Sequence, residues 1–403
     1  MLQLFELKKS LIIFSTMNKF HKNYFSFFTA VFFALFLVSC NGDKQPATFD
    51  IPDADFTVEA IKTGMLKIPL DSMSSNKPVA FQAYNKKGTD YFTFLNHFNN
   101  SIYYYNLKTQ TYDSIQQFPE QGPNGLGKFD STIEYEFLGD SIMFYSRSTL
   151  QITIVNNKKD VVFKYNFGKE GKTAPYGMTR GWAFRTSTGF NFSSVAQTPY
   201  IKLINLPDSL EFDFSLKTLE VKKKHSPLPT AYKGEMWMLE QLRYHRAENE
   251  KYRAYSYPID PYVQIRKPDG SFISKYFGSK IVKPIVPIAS IQIAMDMETS
   301  GKYYFGQGRY GQIYYDPYRK VFLRAGYSGM NENEIDINNP FGDTTTFDKV
   351  FVIGDDELNV KGELKNNRMV ESFVFFQKNG IYVLVDTDDE DHLTFDIYDI
   401  VER

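Results

Sequence analysis

Gly311 to Arg324 reads GQIYYDPYRKVFLR. Ile313, Tyr314 and Tyr315 favour a pleated chain, Asp316-Pro317 opens a turn, and Val321, Phe322 and Leu323 favour the pleat again, so the stretch predicts an antiparallel hairpin. The same shape recurs at Ser101–Ile115 (SIYYYNLKTQTYDSI), Gln151–Tyr165 (QITIVNNKKDVVFKY), Tyr200–Phe214 (YIKLINLPDSLEFDF) and Tyr262–Tyr276 (YVQIRKPDGSFISKY), and His392–Tyr398 (HLTFDIY) supplies one more opening arm. Between the first aliphatic residues of these arms, Ile102, Ile152, Ile201, Val263, Ile313 and Leu393, the gaps are 50, 49, 62, 50 and 80 residues. A period near 50 belongs to repeat architectures, four-stranded propeller blades among them.

Propeller competes with sandwich, and the pleat separates them. In Tyr91–Leu95, Val350–Ile353, Phe373–Phe376 and Ile381–Val385 both alternating faces are apolar. A sheet with one face in water alternates apolar with polar, whereas blades packed radially cover both faces. The expectation is an all-β propeller of six blades; the 80-residue gap leaves room for a seventh unit around Phe347 to Asn367. Phe56–Leu70 (FTVEAIKTGMLKIPL) precedes the first repeat and the last repeat lacks a strand, so the N-terminal strand is expected to complete the final blade and remove the free edges.

Of 403 residues 42% are hydrophobic and 17% aromatic, and 46 basic residues face 47 acidic ones. That balance, without a basic stripe, argues against a nucleic-acid partner. The start of the chain reads as targeting sequence. Lys19 and Lys22 precede an uncharged, mostly apolar run, Tyr24–Val38, and Leu37-Val38-Ser39-Cys40 closes it. This resembles the lipobox at which bacterial signal peptides are cleaved and the cysteine lipidated, and the run is shorter than a spanning helix needs. Residues 1–39 are therefore expected to be a signal peptide starting at Met1 or Met17, with Cys40, the sole cysteine, as the lipid attachment site. Residues 40–55 read as a flexible tether and 56–403 as the propeller domain. Asn41 after the cysteine points toward an outer-membrane lipoprotein, on the periplasmic or the surface face.

Two longer irregular stretches interrupt the repeats, one at about 222–257 and one from Lys280 to Ile288. Gly234–Asn249 (GEMWMLEQLRYHRAEN) within the first is the best helix candidate in the chain. Long connections on a rigid ring are where binding residues sit. Arg243, Tyr244, His245 and Arg246, with Arg309 and Tyr310, mix rings and cations and are the ligand-binding candidates for an acidic or sugar-like molecule. The competing reading is a helix surface salt-bridged by Glu240, Glu248 and Glu250.

Other motifs carry little. Gly122–Lys128 fits GxxxxGK, but Phe129 replaces the Ser or Thr that would hold magnesium, so an inter-blade turn is expected. The five histidines have no metal-ligand spacing, and neither a metal nor another cofactor is implied. Ser328 in GYSG and the Ser74/Lys77 pair lack the partner motifs of a nucleophile. Asp386–Asp391 packs five carboxylates into a hairpin tip without the glycine and distal glutamate of a calcium loop.

With the lipobox, EQGPNGLGKF and IYYDPYRKVFLR together, the chain resembles a family of uncharacterised lipoproteins from Gram-negative, gut-type bacteria with TolB-like six-bladed propellers, over roughly Phe56 to Arg403. The resemblance implies the fold and no activity. The functional expectation is a non-enzymatic envelope lipoprotein, membrane-bound through its lipid, that binds a glycan, peptide or protein. The alternatives are a glycan-active hydrolase or lyase using His245, Arg246 and Glu240, and a structural scaffold of an envelope complex.

Overall fold

The computed structural model describes residues 55–76, 78–175, 183–194, 210–224, 228–233, 235–331, 335 and 347–403. Cys40, with its signal and most of its tether, lies outside them. Strand β1 (Val58–Pro69) comes first and belongs to the last blade. Blade 1 is β2 (Ala80–Lys86), β3 (Thr89–Asn96), β4 (Ser101–Asn106) and β5 (Thr111–Gln117); blade 2 is β6 (Ile133–Leu138), β7 (Ser141–Ser146), β8 (Gln151–Val155) and β9 (Val161–Asn166). Blade 3 is β10 (Ala183–Arg185), β11 (Gly189–Ser193), β12 (Glu211–Ser215) and β13 (Val221–Lys224); blade 4 is β14 (His245–Glu248), β15 (Arg253–Ser256), β16 (Tyr262–Arg266) and β17 (Phe272–Tyr276). Helices α1 (Ile291–Met295) and α2 (Met297–Gly306) then lead to blade 5, β18 (Arg309–Asp316), β19 (Val321–Tyr327), β20 (Lys349–Gly354) and β21 (Val360–Lys365). Blade 6 is β22 (Met369–Gln377), β23 (Gly380–Val385) and β24 (His392–Glu402), completed by β1.

Six antiparallel sheets thus form a ring, with first strands innermost: β2 touches β6, β14 touches β18, and β22 touches both β18 and β2. The expected closure is present. β1 runs antiparallel to β24 from Val58↔Glu402 to Pro69↔His392, with one irregularity between Lys62 and Gly64. Leu66 and Ile68 of β1 enter the same core as Phe81 and Phe92 of blade 1, where the Phe81 and Phe373 rings stack 4.8 Å apart. Phe347 to Asn367, the candidate seventh unit, instead contains the third and fourth strands of blade 5.

Both faces of the inner strands are covered, which is why strands such as β4, β20 and β23 read as unbroken apolar runs, while the outermost strands β5 and β13 are largely exposed. In blade 2, Tyr135 and Phe144 pack toward blade 1, whereas Met143, Tyr145 and Ile152 pack toward Phe190 and Phe192 of blade 3. A side chain of this size contributes about 1.5–3 kcal/mol on full burial.

The repeat has a local cause. Asn106, Asn156, Asp316 and Asp355 each end a strand, and their side-chain oxygens accept backbone N–H groups two to four residues on: Lys108 (3.0 Å), Lys158 (2.9 Å), Tyr318 (2.8 Å) and Glu357 (3.1 Å). These Asx turns close on residues in the left-handed region, such as Gln110, Lys159, Lys320 and Leu358. They do not occupy one blade position, however. The hairpins at Ser101–Ile115, Gln151–Tyr165 and Tyr262–Tyr276 join third to fourth strands, while Gly311–Arg324 joins first to second. The apparent period held because the long segment before β18 shifts the strand count as the ring advances.

The predicted helix over Gly234–Asn249 is not formed. Leu239–Leu242 makes a short 3-10 turn and His245–Glu248 is a strand paired with Arg253–Ser256. Strand alternation sends Arg246 toward Glu211 of blade 3 and Ala247 into the core shared with blade 5, two demands that a helical face would not meet. The described part of the extra-blade segment therefore narrows from 222–257 to residues 228–233 and 235–244. Conversely, α2 went unforeseen. Asp296 caps it by accepting Thr299 N–H at 3.2 Å, and Glu298 pairs with Lys302 at 2.6 Å, while Gly301 and the strand-like Tyr303-Tyr304-Phe305 disguise it.

Candidate functional site

An up-and-down blade places its 1–2 and 3–4 turns at one end of the ring, and its 2–3 turns and inter-blade connections at the other. The first end carries tight turns such as Lys87-Gly88, both with positive φ. The second carries 118–132, 228–233, 235–244 and 277–308. It is the end with material to build a site.

There α2 delivers Tyr304 and Phe305 beside Arg309, the first residue of β18. Across the β18–β19 ladder Arg309 faces Tyr327, and Phe347 arrives just ahead of β20. The guanidinium carbon lies 4.4 Å from the Tyr327 ring centre, 5.1 Å from Tyr304, 5.6 Å from Phe347 and 5.7 Å from Phe305. Phe305, Tyr327, Met330 and Phe347 are themselves buried together. The enclosure needs a close approach at Gly329, with φ +81° and Met330 N–H bonded to Phe305 O at 2.8 Å; a Cβ on Gly329 would lie 2.6 Å from Gln307 backbone. Among the described residues no carboxylate lies within ion-pair distance of Arg309. Ring faces attract the cation, an attraction worth about 0.5–1 kcal/mol at exposed sites, but they use none of its planar N–H donors.

The other five candidates do not join it as one cluster. Tyr244 is in the core, ringed by Tyr255 and Tyr257, and its hydroxyl donates to Leu210 O at 3.3 Å. Arg246, 1% exposed, pairs with Glu211 at 3.3 Å, bonds Asn191 and lies 4.6 Å over Phe184. Glu211 also receives Arg253 at 2.9 Å and the Tyr255 hydroxyl at 2.8 Å. Tyr310 is buried and accepts Ser279 N–H at 3.2 Å while its face carries Arg324. Arg243 follows the 3-10 turn and pairs with Glu240 at 3.6 Å, and half-buried His245 opens β14. Of the expected salt bridges, Glu240–Arg243 is one and Glu248–Arg253 at 2.8 Å another, on a turn and a strand rather than a helix.

Arg324, absent from the sequence candidates, is fully buried and satisfied throughout. Nε donates to Ser256 Oγ at 2.8 Å, Nη1 to Pro261 and Phe277 carbonyls at 3.1 and 2.9 Å, and Nη2 to Tyr257 and Asp260 carbonyls at 3.0 and 2.7 Å. Burial lowers its pKa to about 10, so it stays charged at neutral pH. Glu136, on the innermost strand β6, is the other group missed: burial raises its pKa to about 7, against the opposing pull of Arg185.

The weaker motifs resolve simply. Gly122–Lys128 is the loop between blades 1 and 2, with Gly122 and Gly127 at positive φ and Phe129 buried. Ser328 spans a turn, accepting Asp348 N–H at 3.0 Å, and Ser74 donates to Asp71 at 2.7 Å, while Lys77 lies outside the described residues. The Asp386–Asp391 tip joins β23 to β24 and is not wholly solvated: Asp389 pairs with Lys67 and with His392, each at 2.9 Å. Among the described residues no three His, Cys, Asp or Glu side chains are placed to hold a metal, and no helix is long and apolar enough to cross a membrane.

Ring and connection-bearing end define a six-bladed β-propeller. The sequence profile of a family described as a domain of unknown function, DUF4221, matches residues 57–210. A crystal structure of a DUF4221 family member from Bacteroides vulgatus superposes with TM-score 0.72 at 17% identity, covering 86% of this chain and 99% of that one, which establishes the shared fold. A catalytically inactive virginiamycin B lyase from Staphylococcus aureus gives TM-score 0.41 at 11% identity, covering 84% and 99%, a likeness too loose to carry an argument. No curated protein matches the sequence.

Proposed function

We propose that the chain belongs to the DUF4221 family and is a cell-envelope lipoprotein, anchored through Cys40 at the outer membrane, whose propeller binds an anionic ligand at its connection-bearing end. The observation that carries the binding reading is Arg309, held by four rings with no carboxylate partner among the described residues. A guanidinium so placed offers a bidentate grip to a carboxylate while the rings offer stacking to a sugar or aromatic body, which favours acidic glycans. The test is calorimetric titration of the full chain in detergent with trigalacturonate and with its neutral counterpart, galactotriose. Binding of the acid that Arg309→Gln removes supports the reading; equal binding of both sugars, or no change in the variant, sinks it.

The family assignment rests on the matched profile together with the common fold. Anchoring rests on the sequence around Cys40: Cys40→Ala is expected to leave an uncleaved precursor lacking lipid, checked by mass spectrometry of the membrane fraction. A mature, lipid-bearing product from that variant would contradict it.

A second reading, a glycan hydrolase or lyase, has one observation in its favour. Glu136, on an innermost strand and with its pKa raised to about 7 by burial, has the protonation a general acid needs. Turnover of an acidic polysaccharide that Glu136→Gln abolishes would replace the binding reading with this one.

A further inference from the structure

We infer that the seam between blades 6 and 1 holds a second site, for a small apolar-bodied organic cation such as an arylalkyl ammonium. A cavity of about 280 Å³ opens at the connection-bearing end of this seam. Pro78, Val370, Phe373, Leu384, Val385 and Leu393 are its apolar lining, and Phe373, Leu384 and Leu393 belong to the buried core that closes the ring. The space is thus a missing piece of core rather than a surface wrinkle, close to the size at which ligand pockets begin.

Among the described residues its polar lining is Asn76, Asp386, Thr387, His392 and Thr394, with Asp386 the one carboxylate. Asp386 and His392 both line the cavity. The Asp386 carboxylate has no ion pair among the described residues, and Asp388, Glu390 and Asp391 follow in the same loop. His392 is oriented: its Nδ1 lies 2.9 Å from Asp389, whose other oxygen takes Lys67 at 2.9 Å. Lys67 and His392 hold the Asp389 carboxyl down to a pKa of about 2, so the carboxylate is ionised and accepts the Nδ1 proton. A ligand entering here meets a carboxylate and an apolar wall beside the His392 ring, and an ammonium on an aromatic or aliphatic body suits both. The sign of this carboxylate is opposite to that of Arg309.

The experiment compares three isosteric probes, 2-phenylethylammonium, 2-phenylethanol and phenylacetate, by saturation-transfer NMR and calorimetry on the full chain at low salt. The ammonium is expected to bind about tenfold or more tightly than the alcohol, and the carboxylate not detectably. Asp386→Asn brings the ammonium down to the level of the alcohol, His392→Gln weakens both, and Arg309→Gln changes neither. Both of the cavity substitutions lie at a partly exposed loop edge, and an unchanged melting curve confirms that the fold is kept. Equal affinity for the three probes, absence of binding by all, or an Asp386→Asn variant that binds the ammonium as the parent does would each overturn the proposal.

Discussion

Arg324 and Arg309 sit in the same blade, and each lies over a tyrosine ring, at 3.9 Å from Tyr310 and 4.4 Å from Tyr327. Their surroundings differ in one respect. Every N–H of Arg324 has an oxygen acceptor, four of them backbone carbonyls from the chain around blade 4, so the cation fastens that blade to blade 5. Arg309 has rings and, among the described residues, no carboxylate. Burial of a cation is tolerated when its hydrogen bonds are complete, and a cation whose donors are unused is one that a ligand can complete. The first arginine belongs to the fold and the second to what the fold presents.

The largest effect should come from breaking the satisfied one. Arg324→Met takes the arginine from four carbonyls, of which Pro261 and Tyr257 keep the N–H groups of Phe277 and Asp260, and is expected to cost about 3–5 kcal/mol, read as a fall in the urea midpoint. Arg246→Met tests an intermediate case, because Glu211 keeps Arg253 and Tyr255; a loss of about 1–3 kcal/mol is expected in the same measurement. Arg309→Gln should cost about 1 kcal/mol or less, the scale of its ring contacts, while removing anion binding. Should Arg309→Gln destabilise as much as Arg324→Met, the distinction between them fails.

A smaller effect distinguishes protons instead of guanidinia. Glu136 has an ordinary pKa of 4.5 that burial raises to about 7 in the folded protein. Between those values the folded state holds a proton that the unfolded chain has released, so this carboxyl's contribution is complete below the lower value and disappears as pH rises through the higher one. Melting temperature should therefore decline from pH 5 to pH 8, by the equivalent of about 1–2 kcal/mol after allowing for solvent, and Glu136→Gln should flatten the slope. A parent profile already flat across that window would show the carboxyl ionised throughout.

What the chain disclosed before folding follows the same division. Blades were legible because their signals are local: β-formers such as Ile152 and Ile154, and Asx turns at Asn156 or Asp316. Unbroken apolar runs such as Val350–Ile353 gave away sheets covered on both faces. The strand over His245–Glu248 was hidden because helix formers surround it, and only pairing with β15 and the pull of Glu211 on Arg246 override them. Arg309 was legible as a cation beside a ring, but its enclosure was not, since Tyr304, Phe305, Tyr327 and Phe347 converge from a helix and two other points in the chain. Arg324 was invisible for a related reason. Its acceptors are backbone carbonyls, which leave no trace in residue identity.

The most direct test of this division is a paired titration of the full chain and its Arg309→Gln variant with trigalacturonate at two salt concentrations. The account predicts saturable, salt-sensitive binding by the parent and none by the variant, with melting curves that nearly superimpose. Binding by the variant equal to that of the parent would contradict it, and would return Arg309 to the role that Arg324 already fills.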